Sequence, residues 1–133
     1  MVAEDPILSA LETVAEQDQD ITQSLYQAFA ARHPEHAALM NHMDEYMLGR
    51  MMGDVLTLLM TPPDDIDGNY LHFEVSSHRA YGVTPEMFPP LLEVVRDTVR
   101  QLLGARWNDA ADAAWRRRID ELDSAIHRAD SAA

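Results

Sequence analysis

Six histidines, eight methionines and four tyrosines carry most of the chemistry this sequence can offer, because it contains no cysteine. That composition excludes a disulfide framework, a zinc-thiolate site, a cysteine nucleophile and thiolate ligation of an iron cofactor. His78 stands in the stretch Ser77-His78-Arg79-Ala80-Tyr81-Gly82-Val83-Thr84-Pro85-Glu86-Met87-Phe88. A neutral imidazole on a short helix is a good axial metal donor, with its other ring nitrogen donating to a carbonyl of the preceding turn or to Ser77. Tyr26 shares a helix side with Ile21, Leu25, Ala28 and Phe29, where a buried phenol needs a hydrogen-bond partner. Six methionines fall between Met40 and Met60 and would give that segment an adaptable, polarizable wall. His33, His36, His42, Asp44 and Glu45 are near enough in sequence to be assembled into a metal site, but Pro34 favours a chain corner there.

The elements that must position these groups are all helical. Asp5-Pro6 opens a helix over 6–17, and a second runs over about 20–32 to the stop at His33-Pro34. Pro34-Glu35 opens a short third turn ending near Met40, and Met43, Met47, Met51, Val55, Leu58 and Leu59 follow a helical step to Thr61-Pro62-Pro63. Residues 62–69 form the one long loop, after which a short helix from Tyr70 to about Ala80 carries His78 and ends near Gly82. Thr84-Pro85-Glu86 starts a strongly amphipathic helix through Leu91, Leu92, Val95, Val99, Leu102 and Leu103, closed by Gly104. Asn108-Asp109 caps a last helix with Ala111, Ala114, Trp115, Ile119, Leu122 and Ile126 inward. No strand-like alternation occurs, so the class is all-α with about seven or eight helices. The chain is expected to form one domain over 1–133, with 1–5 and 128–133 as loose tails.

Composition narrows the partners. With 47% hydrophobic and 25% charged residues the chain can bury a core. A formal charge of −13, with every basic residue an arginine, repels nucleic acid and anionic membrane. The N-terminus lacks the basic and apolar segments of a secretory signal, and no apolar run reaches the roughly 18–20 residues of a spanning helix, so a cytoplasmic location is expected. Arg116-Arg117-Arg118 reads as a solvated face answering local acids, with docking of an acidic reductase as the alternative.

In order and spacing, residues 77–88 resemble the proximal region of bacterial globins: His, two variable residues, an aromatic or small residue, Gly, Val, then Pro-Glu and an aromatic. Leu25-Tyr26 through Arg32-His33-Pro34-Glu35 looks like the second helix and corner of the same group, which includes the globin part of flavohaemoglobins. Trp107, Asn108-Asp109 and Ala114-Trp115 fit its last helix, so the resemblance covers most of residues 5–127. It implies a globin-like three-over-three helical sandwich and a haem b whose iron is held by His78, with Tyr26 donating to a distal diatomic ligand. Phe29, Leu39, Met40, Val83, Phe88, Leu92 and Val95 would wall the porphyrin, with Ser77 and Tyr81 beside the ligating histidine. Gly49 would allow a close crossing of the second helix and put Leu48, Met51 and Met52 over the haem; a shift of register would bring Tyr46 or Arg50 there instead. Arg79 and His72 are candidate partners of the haem propionates.

The resemblance further implies reversible binding of dioxygen, carbon monoxide or nitric oxide, and oxygen transport, by a monomer or homodimer. The enzymatic alternative is nitric oxide dioxygenation with a separate reductase. Phe88 replaces a tyrosine that relatives join to a glutamate, so peroxidase chemistry is expected to be a weak side activity at most, and Asp130 is read as solvated tail. Met40 stands where most globins place a phenylalanine against the porphyrin. That departure motivates a further alternative, a sensor or regulatory module with weakened or lost haem. A methionine as sixth ligand would point instead to electron transfer.

Overall fold

A computed structural model describes residues 5–17 and 21–131. Seven helices account for most of them: α1 (Pro6–Gln17), α2 (Ile21–Arg32), α3 (Pro34–Ala38), α4 (Glu45–Met60), α5 (Gly68–Ala80), α6 (Phe88–Leu103) and α7 (Asp109–Ser131). No strand occurs among the described residues. The packed pairs sort into two layers, with α1, α4 and α5 over α2, α6 and α7: α1 crosses α6 and α7, α4 crosses α2 and α7, and α5 lies on α7. This is the expected three-over-three arrangement. Leu25, Phe29, Met52, Leu59, Val94, Val95, Val99 and Trp115 form the centre of the core.

Local chemistry sets the helix ends. Asp5 Oδ1 accepts from the Ile7 amide at 3.0 Å, Asp44 Oδ1 from Met47 at 2.8 Å and Asn108 Oδ1 from Ala111 at 2.8 Å, each satisfying an otherwise unpaired first-turn donor. The Asp44 cap starts α4 two residues later than the apolar periodicity suggests. The Asp67 cap, accepting from Asn69 at 2.8 Å, starts α5 at Gly68 and draws residues read as loop into its first turn. A 3-10 turn over Pro85–Met87 precedes α6, so the α-helix proper begins at Phe88.

Two sequence expectations change. A Cβ at Gly49 would meet no atom within 4 Å, so Gly49 does not mark a close crossing of α2 and α4; a groove opens there. The last helix runs on through Ser131, across the segment that reads as a tail in the sequence. Ala129 is buried with Leu71, Val75, Ala125 and Ile126, because small side chains let α7 approach α5, and Asp130 accepts from Arg79 at 2.6 Å. Residues 1–4 and 132–133 of the expected tails lie outside the described residues.

One ion pair ties the end of α2 to α6. Arg32 Nη1 donates to Asp97 Oδ2 at 2.7 Å, and Arg96 Nη2 donates to Asp97 Oδ1 at 3.0 Å. Burial pushes the Asp97 carboxyl up, but the hydrogen bonds from Arg32 and Arg96 outweigh it and hold the group below the usual carboxylate range. A folded value below the unfolded one gives stability that is present above the ordinary carboxylate pKa of about 3.9 and lost as pH falls through the folded value. Asp97→Asn is therefore expected to cost about 1 kcal/mol at pH 7, with the difference from the parent shrinking in urea melts as pH is taken down through the folded value.

Candidate functional site

His78 sits in the last turn of α5, and that turn is fixed by its C-terminal cap. Gly82 has φ +87°, a conformation glycine adopts without steric cost. Its amide donates to the Arg79 carbonyl and the Val83 amide to the His78 carbonyl, both at 3.0 Å, the paired bonds of a Schellman motif. The His78 ring is then oriented by its own helix: Nδ1 lies 2.6 Å from the Glu74 carbonyl oxygen. A carbonyl only accepts, so Nδ1 carries a proton, and in the neutral ring Nε2 then keeps its lone pair. The Glu74 carboxylate lies 4.0 Å from the same Nδ1. The edge of one ring meets the face of the other where Phe88 packs on His78, at a centroid separation of 5.2 Å and an interplanar angle of 64°. The imidazole side chain is 31% exposed.

Three cavities share His78 as a wall. One of about 80 Å³ is lined by Phe29, Leu39, Met40, Met51, Val83 and Phe88, together with His36, Val55, Met87 and Leu91. A second of about 80 Å³ lies between α4, α5, α6 and α7, lined by Met51, Val55, Leu58, Phe88, Leu91 and Leu92, with Asp54, Tyr70 and Glu74 as its polar members. The Tyr70 phenol is pushed above its ordinary pKa by burial and by the carboxylates of Glu74 and Asp54, so it stays protonated. The third, about 240 Å³, is walled by Met43, Met47, Met51, Ser77, Tyr81 and Val83. At this third cavity the exposed Tyr81 ring stacks flat on His42, with centroids 5.1 Å apart.

Phe29, Leu39, Met40, Met51, Ser77, Tyr81, Val83, Phe88 and Leu92 thus share cavities with His78. Three other candidates are placed elsewhere. Tyr26 and Leu48 line a separate groove between α2 and α4 with Gln27, Glu45 and Gly49. On α2 the fully buried face is set by Leu25 and Phe29; Tyr26, one position beyond Leu25, is turned about 100° from it. Met52 is 0% exposed and belongs to the core with Leu59, one heptad on, while Met51, Val55 and Leu58 form the cavity-facing stripe. Tyr46 and Arg50, the alternatives in register, are exposed. Arg79 and His72, the candidate propionate partners, are held by Asp130 at 2.6 Å and by the Ala129 carbonyl at 2.9 Å. Arg118, one of the three consecutive arginines, is not solvated but turned inward to the Leu59 carbonyl and to Asp5.

His36, Val55, Met87 and Leu91 are wall residues that sequence reasoning misses as site residues. In the sequence His36 reads as part of the corner motif, although its position three residues after His33 and seven after Phe29 puts all three side by side: His33 and His36 stack with centroids 5.5 Å apart. Among the described residues no group of three or more His, Asp or Glu side chains gathers as a bare hard or borderline ion would require. The walls around His78 are mainly apolar, with His36, His42, Asp54, Tyr70 and Glu74 as the other polar members beyond Ser77 and Tyr81, and one imidazole among such walls suits a large apolar group carrying its own metal equatorially coordinated, as haem does. The residues present therefore fit haem.

No solved structure matches this chain. The globin family model matches residues 9–126, a span that includes every wall residue of the three His78 cavities. With its helix order, its two-layer packing and the histidine at the cavities, this chain belongs to the globin family, whose members in general bind haem and a diatomic gas.

Proposed function

We propose that this globin holds haem b through His78 and binds dioxygen reversibly at the cavity side of that group. One observation carries the reading: His78 Nδ1 donates its hydrogen bond to the Glu74 carbonyl, which leaves the Nε2 lone pair of the neutral ring for a metal, and His78 lines all three mainly apolar cavities. Haem, when bound, supplies an iron with one position free for a diatomic ligand. The protein's residues orient the donor, exclude water and bury the porphyrin faces. The absence of cysteine supports haem b, since no thioether attachment can form. Phe88 fixes the imidazole by edge contact and, as a hydrocarbon, adds no acid-base function beside it.

The test is hemin titration of the full chain followed by visible spectra of the ferric, reduced and carbon monoxide-treated protein. A Soret band that saturates at one equivalent, and sharpens and shifts on reduction under carbon monoxide, is the expected result. Failure to saturate at one equivalent overturns the reading.

A further inference from the structure

Four of the eight methionines, Met40, Met43, Met47 and Met51, border the third cavity, of about 240 Å³. Met40 and Met51 also line a smaller cavity with Phe88 and Leu91, as hydrophobic wall residues do. Met43, Met47 and His42 border only the third of the three cavities at His78. Packing does not account for Met47, which is 43% exposed where Met52 on the same helix is 0% exposed. Local structure brings this trio together. The Met43 amide donates to the Met40 carbonyl at 3.0 Å, closing a turn that carries His42, and the Asp44 cap then puts Met47 in the first turn of α4. The His42 ring is held flat against Tyr81, at an interplanar angle of 3°, and no hydrogen bond engages its nitrogens among the described residues. Methionine is unbranched and flexible, so two thioethers can close on a point beside a fixed imidazole without moving the backbone.

The donor types decide which ion fits. No carboxylate lines this cavity, so calcium, magnesium and manganese find none of the oxygen ligands they require. Thioethers are soft donors that select copper(I), and an imidazole completes a set suited to that ion. A net charge of −13, with Asp44 and Glu45 exposed next to the trio in sequence, draws cations toward the chain. From this arrangement we propose that Met43, Met47 and His42 form a binding site for a single copper(I) ion at the mouth of the third cavity. The site uses neither haem nor His78, so it stands apart from the haem reading.

The experiment titrates copper(I), kept reduced by ascorbate in the absence of dioxygen, into the full chain in competition with the chromophoric chelator bicinchoninate. Wild type is compared with Met43→Leu, Met47→Leu, His42→Phe and Met60→Leu. Leucine keeps the volume of methionine and phenylalanine keeps the stack on Tyr81, so the fold stays while the donor atom goes. Wild type is expected to take one equivalent from the chelator. Met43→Leu, Met47→Leu and His42→Phe should each bind about 10–100-fold more weakly, the loss that removing one partner from a metal site brings. Met60 borders none of these cavities, and Met60→Leu should bind as wild type does. In wild type isotopically labelled at its methionine methyls, silver(I), a redox-inert ion of the same soft class, is expected to shift the Met43 and Met47 resonances and leave that of Met60 in place. The proposal is overturned if wild type takes no copper at one equivalent, or if any of the three donor variants binds as tightly as wild type. Equal weakening in Met60→Leu overturns it too, because capture would then be diffuse among the methionines. Should a variant lose its helical circular dichroism, the silver spectra of wild type decide the matter, and unmoved Met43 and Met47 methyls overturn the proposal.

Discussion

His78→Ala is expected to abolish the defined haem complex while leaving the fold in place. The side chain is partly exposed and belongs to no core cluster, so removing it costs the globular core little. What is removed is the only imidazole in these cavities whose tautomer is set by its own helix carbonyl. Losing an outer partner of a metal ligand typically weakens metal binding about 10–100-fold, and losing the ligand itself should exceed that. The apolar walls Phe29, Met40, Phe88 and Leu92 remain, and on the proposed reading they would still let some hemin partition into the variant. The decisive readout is therefore the spectrum: a broad Soret band that no longer saturates at one equivalent, with a carbon monoxide complex lacking the signature of a nitrogen ligand. Added imidazole should restore that signature in His78→Ala, because the space vacated by the side chain lies at the meeting point of three cavities. A wild-type spectrum in the variant without imidazole would mean that another residue holds the iron.

The positions of α5, α6 and α7 are legible in the sequence because each carries punctuation with a physical cause: Gly82 and Gly104 at positive φ, prolines in first turns, Asn108 as a cap. The site is legible where a motif coincides with such punctuation, as at Ser77 to Phe88. It is least legible on α4, where Met47, Met51, Met52, Val55, Leu56, Leu58, Leu59 and Met60 spread apolar surface around much of the helix. A broad stripe does not specify which of Met51 and Met52 turns inward; packing against α2 and α7 decides it, and that is tertiary information. Tyr26 shows the same limit on α2, since a helix whose apolar face is narrow leaves the next residue free to face a neighbouring groove. The end of α7 misleads for a different reason. Alanine and aspartate at 129–130 look like a low-complexity tail, but Ala129 is small because it packs in the α5–α7 contact and Asp130 is the partner of Arg79.

Trp115→Ala is expected to destabilise the fold by about 3–5 kcal/mol, several times the cost of Asp97→Asn. The indole is 0% exposed and is the largest fully buried side chain, placed where α7 meets the central core. It packs at a tilt on Trp107, with ring centroids 5.8 Å apart, and Trp107 is itself tied down through its Nε1 hydrogen bond to Asp112 at 3.3 Å. Deleting the indole leaves a hole whose walls are already held from several sides, so little collapse can fill it. Its own Nε1 is buried without a partner among the described residues, which means that part of the wild-type stability is already forfeited there. Trp115→Phe removes that unsatisfied donor along with a smaller volume, and should therefore cost well under half as much as Trp115→Ala. Urea unfolding at pH 7, with unchanged m-values, is the measurement, and thermal melts should show Trp115→Ala falling by roughly 10–20 °C. Because Trp115 lines none of the cavities at His78, the folded fraction of either variant should bind hemin with the parent's Soret position. A cost below about 1 kcal/mol for Trp115→Ala would mean that α7 can repack over the gap, which a close-packed core of Leu25, Leu59, Val95 and Val99 does not allow.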